Sequence, residues 1–155
     1  MPKQTAGLLL YRRRRGRIEV FLVHPGGPYW RNKDAAAWSI PKGEFEPDEE
    51  PLAAARREVA EETGFDIDGE FLALTPRKQA GGKIVSVWAV ERDVDAGAVR
   101  SNMFAMEWPP RSGRTQEFPE VDRAAWFDLP AARRKIHKGQ VAILDELEAR
   151  LSDNP

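Results

Sequence analysis

The first third of the chain alternates between apolar runs and polar breaks that read as strands. Ala6-Gly7-Leu8-Leu9-Leu10-Tyr11 is an unbroken apolar run, short enough for a strand covered on both faces. Arg12-Arg13-Arg14-Arg15-Gly16-Arg17 interrupts it and Ile18-Glu19-Val20-Phe21-Leu22-Val23 returns, which predicts a hairpin with a basic, solvated tip. The stretch His24 to Trp30 is rich in Pro and Gly and predicts a loop, although it carries Tyr29 and Trp30. Ala37 to Ile40 predicts a short strand. The clearest helix is Pro51 to Glu62, with Pro51 in the first turn, Gly64 just past the end, and Leu52 and Val59 on one buried face. Further strands are predicted at about 69–79 and 83–91, joined by Ala80-Gly81-Gly82. Residues 93–117 show no clear period and predict a long loop. Val121 to Phe127 predicts a final strand that holds Trp126, and Leu129 to Leu151 one or two helices broken near Gly139. Trp88 and Trp126 sit inside strand patterns and are expected in the core. No repeat, low-complexity tract or linker interrupts the sequence, so one domain over residues 1–155 is expected.

Composition narrows the chemistry. The chain has no cysteine, which excludes disulfides, thiolate metal sites and a Cys nucleophile. Its two histidines, His24 and His137, cannot form a three-His zinc site and are not expected to be catalytic. With 24 basic and 25 acidic residues and a net charge of −1, no whole-protein grip on nucleic acid is expected, so a nucleic-acid binder built on the Arg12–Arg15 tip is a minor alternative. The first ten residues lack the layout of a signal peptide and no apolar run approaches a membrane span, which predicts a cytoplasmic protein with no membrane partner.

The helix carries the informative pattern. At 100° per residue, Glu58, Glu61 and Glu62 fall on one face. Like charges so placed destabilise an isolated helix by a few tenths of a kcal/mol per pair, unless a cation neutralises them. On most helices such a cluster is only a solvated face. Oxygen donors without His or Cys select hard ions, so Mg²⁺ or Mn²⁺ is the expected cofactor, and a carboxylate-bound Mg²⁺ points to phosphate chemistry. Glu49 and Arg57 suit a supporting ion pair.

The segment from Gly43 to Phe65 resembles the Nudix box, Gly-x5-Glu-x7-Arg-Glu-U-x-Glu-Glu-x-Gly-U, with U a bulky apolar residue. Gly43, Glu49, Arg57, Glu58, Val59, Glu61, Glu62 and Gly64 match, and Phe65 stands at the last U. Seven fixed residues at usages of about 5–8% coincide by chance on the order of 10⁻⁸ per starting position. The resemblance implies an α/β fold, an α/β/α sandwich with a mixed sheet, and metal-dependent hydrolysis of a nucleoside diphosphate linked to another moiety. It implies a catalytic set of Glu58, Arg57 and Glu49; members of the family differ over which glutamate is the general base, and Glu58 is the first expectation for it here. It also implies metal ligation by Glu58, Glu61, Glu62 and the carbonyl of Gly43. Family members often add a carboxylate from outside the box; Glu120 is preferred over Glu117 for that place.

The substrate is read from other residues. Trp38-Ser39-Ile40-Pro41-Lys42-Gly43 resembles the entry to the box in diadenosine tetraphosphate hydrolases, with Lys42 placed to meet a polyphosphate. Those enzymes tend to have a stacking Tyr after the box, whereas Tyr11 and Tyr29 both precede it here. Tyr29, Trp30 or Trp108 would then stack on a base, and Lys42, Trp30 and Tyr29 form the expected substrate-binding set. Arg77, Lys78, Lys83, Arg111 and Arg114 have no signature that separates them from solvated surface. Dinucleoside polyphosphates are the first expectation for the substrate. A nucleoside triphosphate or nucleotide-sugar pyrophosphatase is the alternative, and a catalytically silent nucleotide sensor the alternative of another class.

Overall fold

The computed structural model describes residues 3–152; residues 1–2 and 153–155 of the expected single domain lie outside the described residues. Strand β1 (Gln4–Arg14) and strand β2 (Arg17–Pro25) form the predicted hairpin, in register from Tyr11↔Val20 to Arg14↔Arg17. Leu8, Leu9, Leu10, Val20, Phe21 and Leu22 are fully buried, which is why their runs are apolar on both faces. The basic tip is largely neutralised by carboxylates. Arg12 pairs with Glu19 and Asp93, Arg13 with Glu91, Arg14 with Asp93 and Arg17 with Asp128.

Strand β3 (Lys42–Phe45) runs antiparallel to the first residues of β1, and helix α1 (Pro51–Thr63) follows. Glu50 caps α1 by accepting from the Leu52 and Ala53 amides at 3.2 and 2.8 Å, Pro51 opens it, and Gly64 at φ 81° closes it in the left-handed conformation. The strand expected at 69–79 is two short pieces, β4 (Leu72–Ala73) and β5 (Arg77–Lys78). Pro76, which has no amide hydrogen, lies between them. Both pair with β6 (Ile84–Glu91), and the expected turn at 80–82 joins β5 to it.

The long loop expected at 93–117 is a correction. It contains a separate two-stranded hairpin, β7 (Met103–Glu107) and β8 (Thr115–Pro119), in register from Met103↔Pro119 to Glu107↔Thr115. Only Phe104, Met106 and Phe118 of these strands, with Pro119, are even half-buried, so no hydrophobic alternation marks them in the sequence. Strand β9 (Val121–Asp128), helix α2 (Leu129–Lys135) and helix α3 (Val141–Ser152) complete the order, with a turn at Lys138–Gln140 where the break was expected.

The main sheet runs β4-β6-β1-β2-β9, with β3 added to β1 and β5 to β6. The β1–β6 pair is parallel and the others antiparallel, so the sheet is mixed. Alternation along the strands divides the core. Leu8, Leu10, Phe21 and Val90 face Ala54, Ala55 and Val59 of α1, whereas Leu9, Val20, Leu22 and Val87 face Leu129, Ala132, Ile143, Leu144 and Leu147 of α2 and α3. Each large side chain buried in these layers stabilises the fold by about 1.5–3 kcal/mol. The result is an α/β/α sandwich. Trp88 and Trp126 both pack, partly buried, in the α1 layer. No described helix is long and apolar enough to cross a membrane.

The expected strand at 37–40 is a strap held by single bridges, Val23↔Ser39 and Trp38↔Ile136. The Trp38 amide donates to the Lys135 carbonyl at 2.9 Å, and the His137 amide donates to the Trp38 carbonyl at 2.7 Å. The buried Gln140 side chain accepts from the Ile40 amide at 3.0 Å and donates to Ser39 Oγ at 3.0 Å. The residues that lead into Lys42 and Gly43 therefore rest on the segment between α2 and α3.

Candidate active site

Helix α1 packs its apolar face on the sheet and so turns Glu58, Glu61 and Glu62 toward β3 and the start of β9. Glu58 is only 9% exposed, and its carboxylate fills the space beside Gly43. A Cβ on Gly43 would lie 1.9 Å from Glu58 Oε2, so glycine is required for that approach. Arg57 holds the group together. It donates from Nε and Nη2 to Glu49 at 2.7 and 2.9 Å in a two-point fork. Its Nη1 donates to Glu58 Oε1 at 2.9 Å and to Glu61 Oε1 at 3.1 Å. The fork keeps the Glu49 carboxyl below the usual carboxylate range.

The acidic groups nearest the cleft behave oppositely. Burial, reinforced by the Glu58 charge and to a lesser degree Glu120, pushes the Glu62 carboxyl up to about 8. Burial also raises Glu58, against the pull of Arg57, and raises Glu120, with Glu61 adding to it. Glu62 accepts from the Lys42 amide at 3.3 Å. The Lys42 ammonium is lowered by burial, an effect that Glu62 opposes. Among the described residues no three acidic or histidine side chains already converge on one point, since Arg57 holds Glu58 and Glu61 toward itself.

A cleft of about 290 Å³ adjoins these carboxylates, and Lys42, Glu62 and Glu120 are part of its lining. Ser39, Gln140, Gln79, His137 and Trp30 line it as well. Trp30 is 39% exposed, with Lys33 Nζ 5.0 Å from its ring centre. Tyr29, 55% exposed, does not line the cleft and meets the ring edge of Trp108 at 5.2 Å. Glu117 is exposed on β8, away from the cleft, whereas Glu120 lies in it. Arg77 pairs with Glu146 and Lys83 with Glu44, outside this group.

Three features gave no signal in the sequence. Asn102 closes the root of the β7–β8 hairpin, where its carbonyl accepts from the Glu120 amide at 2.9 Å. Its own amide N–H donates to the Glu61 carbonyl at 2.8 Å, and with the side-chain amide turned so that both its atoms are satisfied, the nitrogen donates to Glu120 Oε2 at 3.1 Å and Glu61 O at 3.2 Å. Gln140 ends the turn before α3, with no motif around it. His24 is fully buried, with Nδ1 2.8 Å from Asp122 Oδ1 and Nε2 2.6 Å from the Lys33 carbonyl. It thereby braces the loop that carries Tyr29 and Trp30.

A glutamate-bearing helix laid against Gly43 on an α/β/α sandwich agrees with the family model for the NUDIX domain, which matches residues 1–147. This chain belongs to the Nudix family. It is accordingly a hydrolase of pyrophosphate bonds. An RNA pyrophosphohydrolase of Mesorhizobium japonicum is 26% identical over 129 residues, 71% of each chain. One from Bartonella henselae is 29% identical over 107 residues, 59% of this chain and 57% of that one. Among solved structures, a C. elegans Ap4A hydrolase superimposes with a TM-score of 0.66 at 23% identity, covering 97% of this chain and 98% of the other, a likeness of fold.

Proposed function

We propose that this Nudix hydrolase cleaves a phosphoanhydride bond of a nucleoside polyphosphate with a divalent cation, Mg²⁺ or Mn²⁺, and that dinucleoside polyphosphates are its substrate class. One observation carries the reading: Glu58 lies against Gly43, and Glu62 and Glu120 line the adjoining cleft, with burial and neighbouring carboxylates holding all three above the usual carboxylate range despite Arg57 and Lys42. Their oxygen donors, with Glu61 and the Gly43 carbonyl, fit a hard cation. When bound, such an ion polarises a phosphoryl oxygen and acidifies water.

The chain's own residues have distinct parts in this reading. Glu58 is held by Gly43 and Arg57 where it can ligate the ion and take a proton from water. Glu49 fixes Arg57, and the fork keeps α1 and the loop before it in register. Glu61, Glu62 and Glu120 complete the metal set, which requires Arg57 to give up part of its hold on Glu58 and Glu61. Lys42, at the cleft end of β3, offers its charge to the polyphosphate. Trp30 lies beside the base, whereas Tyr29 is turned to Trp108 outside the cleft.

A second reading is favoured by the named relatives: the substrate would be the 5′-terminal phosphates of an RNA. The test is turnover with Mg²⁺ of diadenosine tetraphosphate, a nucleoside triphosphate, a nucleotide sugar and a 5′-triphosphorylated oligoribonucleotide, with products resolved by chromatography. Cleavage of diadenosine tetraphosphate, lost in Glu58→Gln and Glu61→Gln, supports the leading assignment. A preference for the oligoribonucleotide transfers it to the second. Binding without product from any substrate replaces both with a nucleotide sensor.

A further inference from the structure

The surface just outside the cleft has the character of a nucleotide seat. At about 290 Å³ the cleft itself lies at the low end of small-molecule sites, roughly 300–1,000 Å³. Tyr29 and Trp30, neighbours on the 26–33 loop, are the exposed large aromatic residues among the described residues. Exposed aromatic surface concentrated in one place marks a binding site more often than scattered single residues do.

The hairpin is built to present that surface. Phe104 packs toward Gly27 and Trp108 meets Tyr29, so this face of β7 is turned to the loop. By the strand alternation, Ala105, Glu107 and the cross-strand Glu117 project from the opposite face. The tip is ordered: the Trp108 amide donates to the Arg114 carbonyl, and Gln116 Nε2 donates to the Trp108 carbonyl, both at 2.9 Å. The place is also basic: Arg31, Lys33, Arg111 and Arg114 lie on this loop and hairpin and make no ion pair among the described residues, whereas the arginines at 12, 13, 14 and 17 of the other basic tip are matched by carboxylates and Arg15 alone there is not. Both ends of the hairpin close at Asn102 and Glu120, and Glu120 lines the cleft. A chain of phosphates that leaves the carboxylates has this surface next to it.

We propose that the β7–β8 hairpin and the 26–33 loop form a second nucleotide seat outside the cleft, in which a base stacks at Trp108 beside Tyr29 and its phosphate meets Arg111 and Arg114. The proposal rests on the phosphoanhydride reading above. The second nucleotide comes from one of two sources, the distal nucleoside of a dinucleoside polyphosphate or the next residue of an RNA 5′ end. Aromatic and guanidinium groups recognise the same chemistry in both.

The experiment compares matched one-unit and two-unit ligands on the full chain. Adenosine 5′-tetraphosphate is set against diadenosine tetraphosphate, and GTP against a 5′-triphosphorylated dinucleotide beginning with G. Dissociation constants come from calorimetry and KM values from product formation, for the wild type, Trp108→Ala and the pair Arg111→Ser with Arg114→Ser. The expected result is a rise of about tenfold, within the range for one lost stack, in Kd and KM for one of the two-unit ligands relative to its one-unit partner. The pair in which the rise appears identifies the source. Equal changes for both members of each pair, or none, overturn the proposal. If Trp108→Ala fails to fold, the arginine pair decides between these outcomes. Absence of turnover by the wild type on every compound refutes the phosphoanhydride reading instead, and the ratios of Kd still decide the seat.

Discussion

Gly43→Ala separates placement of Glu58 from stability of the fold. The new methyl group would lie 1.9 Å from Glu58 Oε2, 2.2 Å from its Cδ and 2.7 Å from Oε1. Ordinary carbon contacts need about 3.5 Å, so the carboxylate must retreat by roughly 1.5 Å. It is the end of a flexible side chain and can swing outward, at the loss of its 2.9 Å bond to Arg57. A charge-assisted hydrogen bond contributes about 1.5–3 kcal/mol, and rehydration of the freed carboxylate offsets much of that. The net loss is then about 1 kcal/mol, which lowers Tm by about 2–4 °C in a chain of this size. Activity is expected to suffer far more, since a misplacement of about 1 Å costs on the order of 10²-fold. The assay is kcat/KM on whichever substrate the panel selects, beside thermal melting. Gly7→Ala serves as the control, because its Cβ would meet the Pro41 carbonyl at 2.6 Å, a backbone atom that cannot swing away. It should melt earlier than Gly43→Ala. A Gly43→Ala enzyme with near wild-type turnover would refute the role given to Glu58, and a fall in Tm above about 10 °C would show that Gly43 serves the fold.

Other expectations follow from the same geometry. Between the ordinary 4.5 and about 8, native Glu62 keeps a proton that the unfolded chain has released, so the metal-free protein loses stability as pH rises through that window. Melting from pH 5 to 9 in a chelator should show a shallower fall for Glu62→Gln than for the wild type, and an identical slope would refute the assignment. Asn102→Asp replaces the donor that reaches Glu120 Oε2 with a further carboxylate. Its metal-free Tm should fall, and added Mg²⁺ should raise Tm by more than in the wild type. His24→Phe removes both hydrogen bonds of a fully buried ring, while Asp122 stays in water beside Arg123. A lost partner for the Lys33 carbonyl costs about 1–3 kcal/mol, so Tm should drop by at least about 2 °C, with faster protease cleavage within 26–36.

The amino-acid pattern made the sandwich and the acidic face of α1 legible for a physical reason. The strands β1, β2 and β6 are buried by both helical layers, so their apolar runs are long, and Pro51 and Gly64 mark the ends of α1 by backbone chemistry alone. The box residues are fixed by spacing along one helix and one preceding strand, which sequence reports directly. The β7–β8 hairpin was not legible, because it packs against a loop and leaves most side chains in water. Nor were Asn102 and Gln140, whose parts depend on contacts with Glu120 and Ile40 far away in the chain. Tyr29 was expected beside Trp30 in one binding set, yet the two diverge. A turn in which the Trp30 amide donates to the Gly27 carbonyl leaves Trp30 at the cleft and Tyr29 against the hairpin.

The strap from Ala36 to Ile40 makes the box dependent on residues a hundred positions later. Its amides at 36, 38 and 40 are held by Arg134, Lys135 and Gln140, and Trp38 in turn receives the amide of His137. A chain shortened before Arg134 would keep every residue of the box and every glutamate of the site, but Lys42 and Gly43 would hang from a strap with no floor beneath it. Proteins that share this design can therefore lose the reaction through changes near the C-terminal helix while the motif reads as perfect, and an inventory of enzymes made from the motif alone would count them as active.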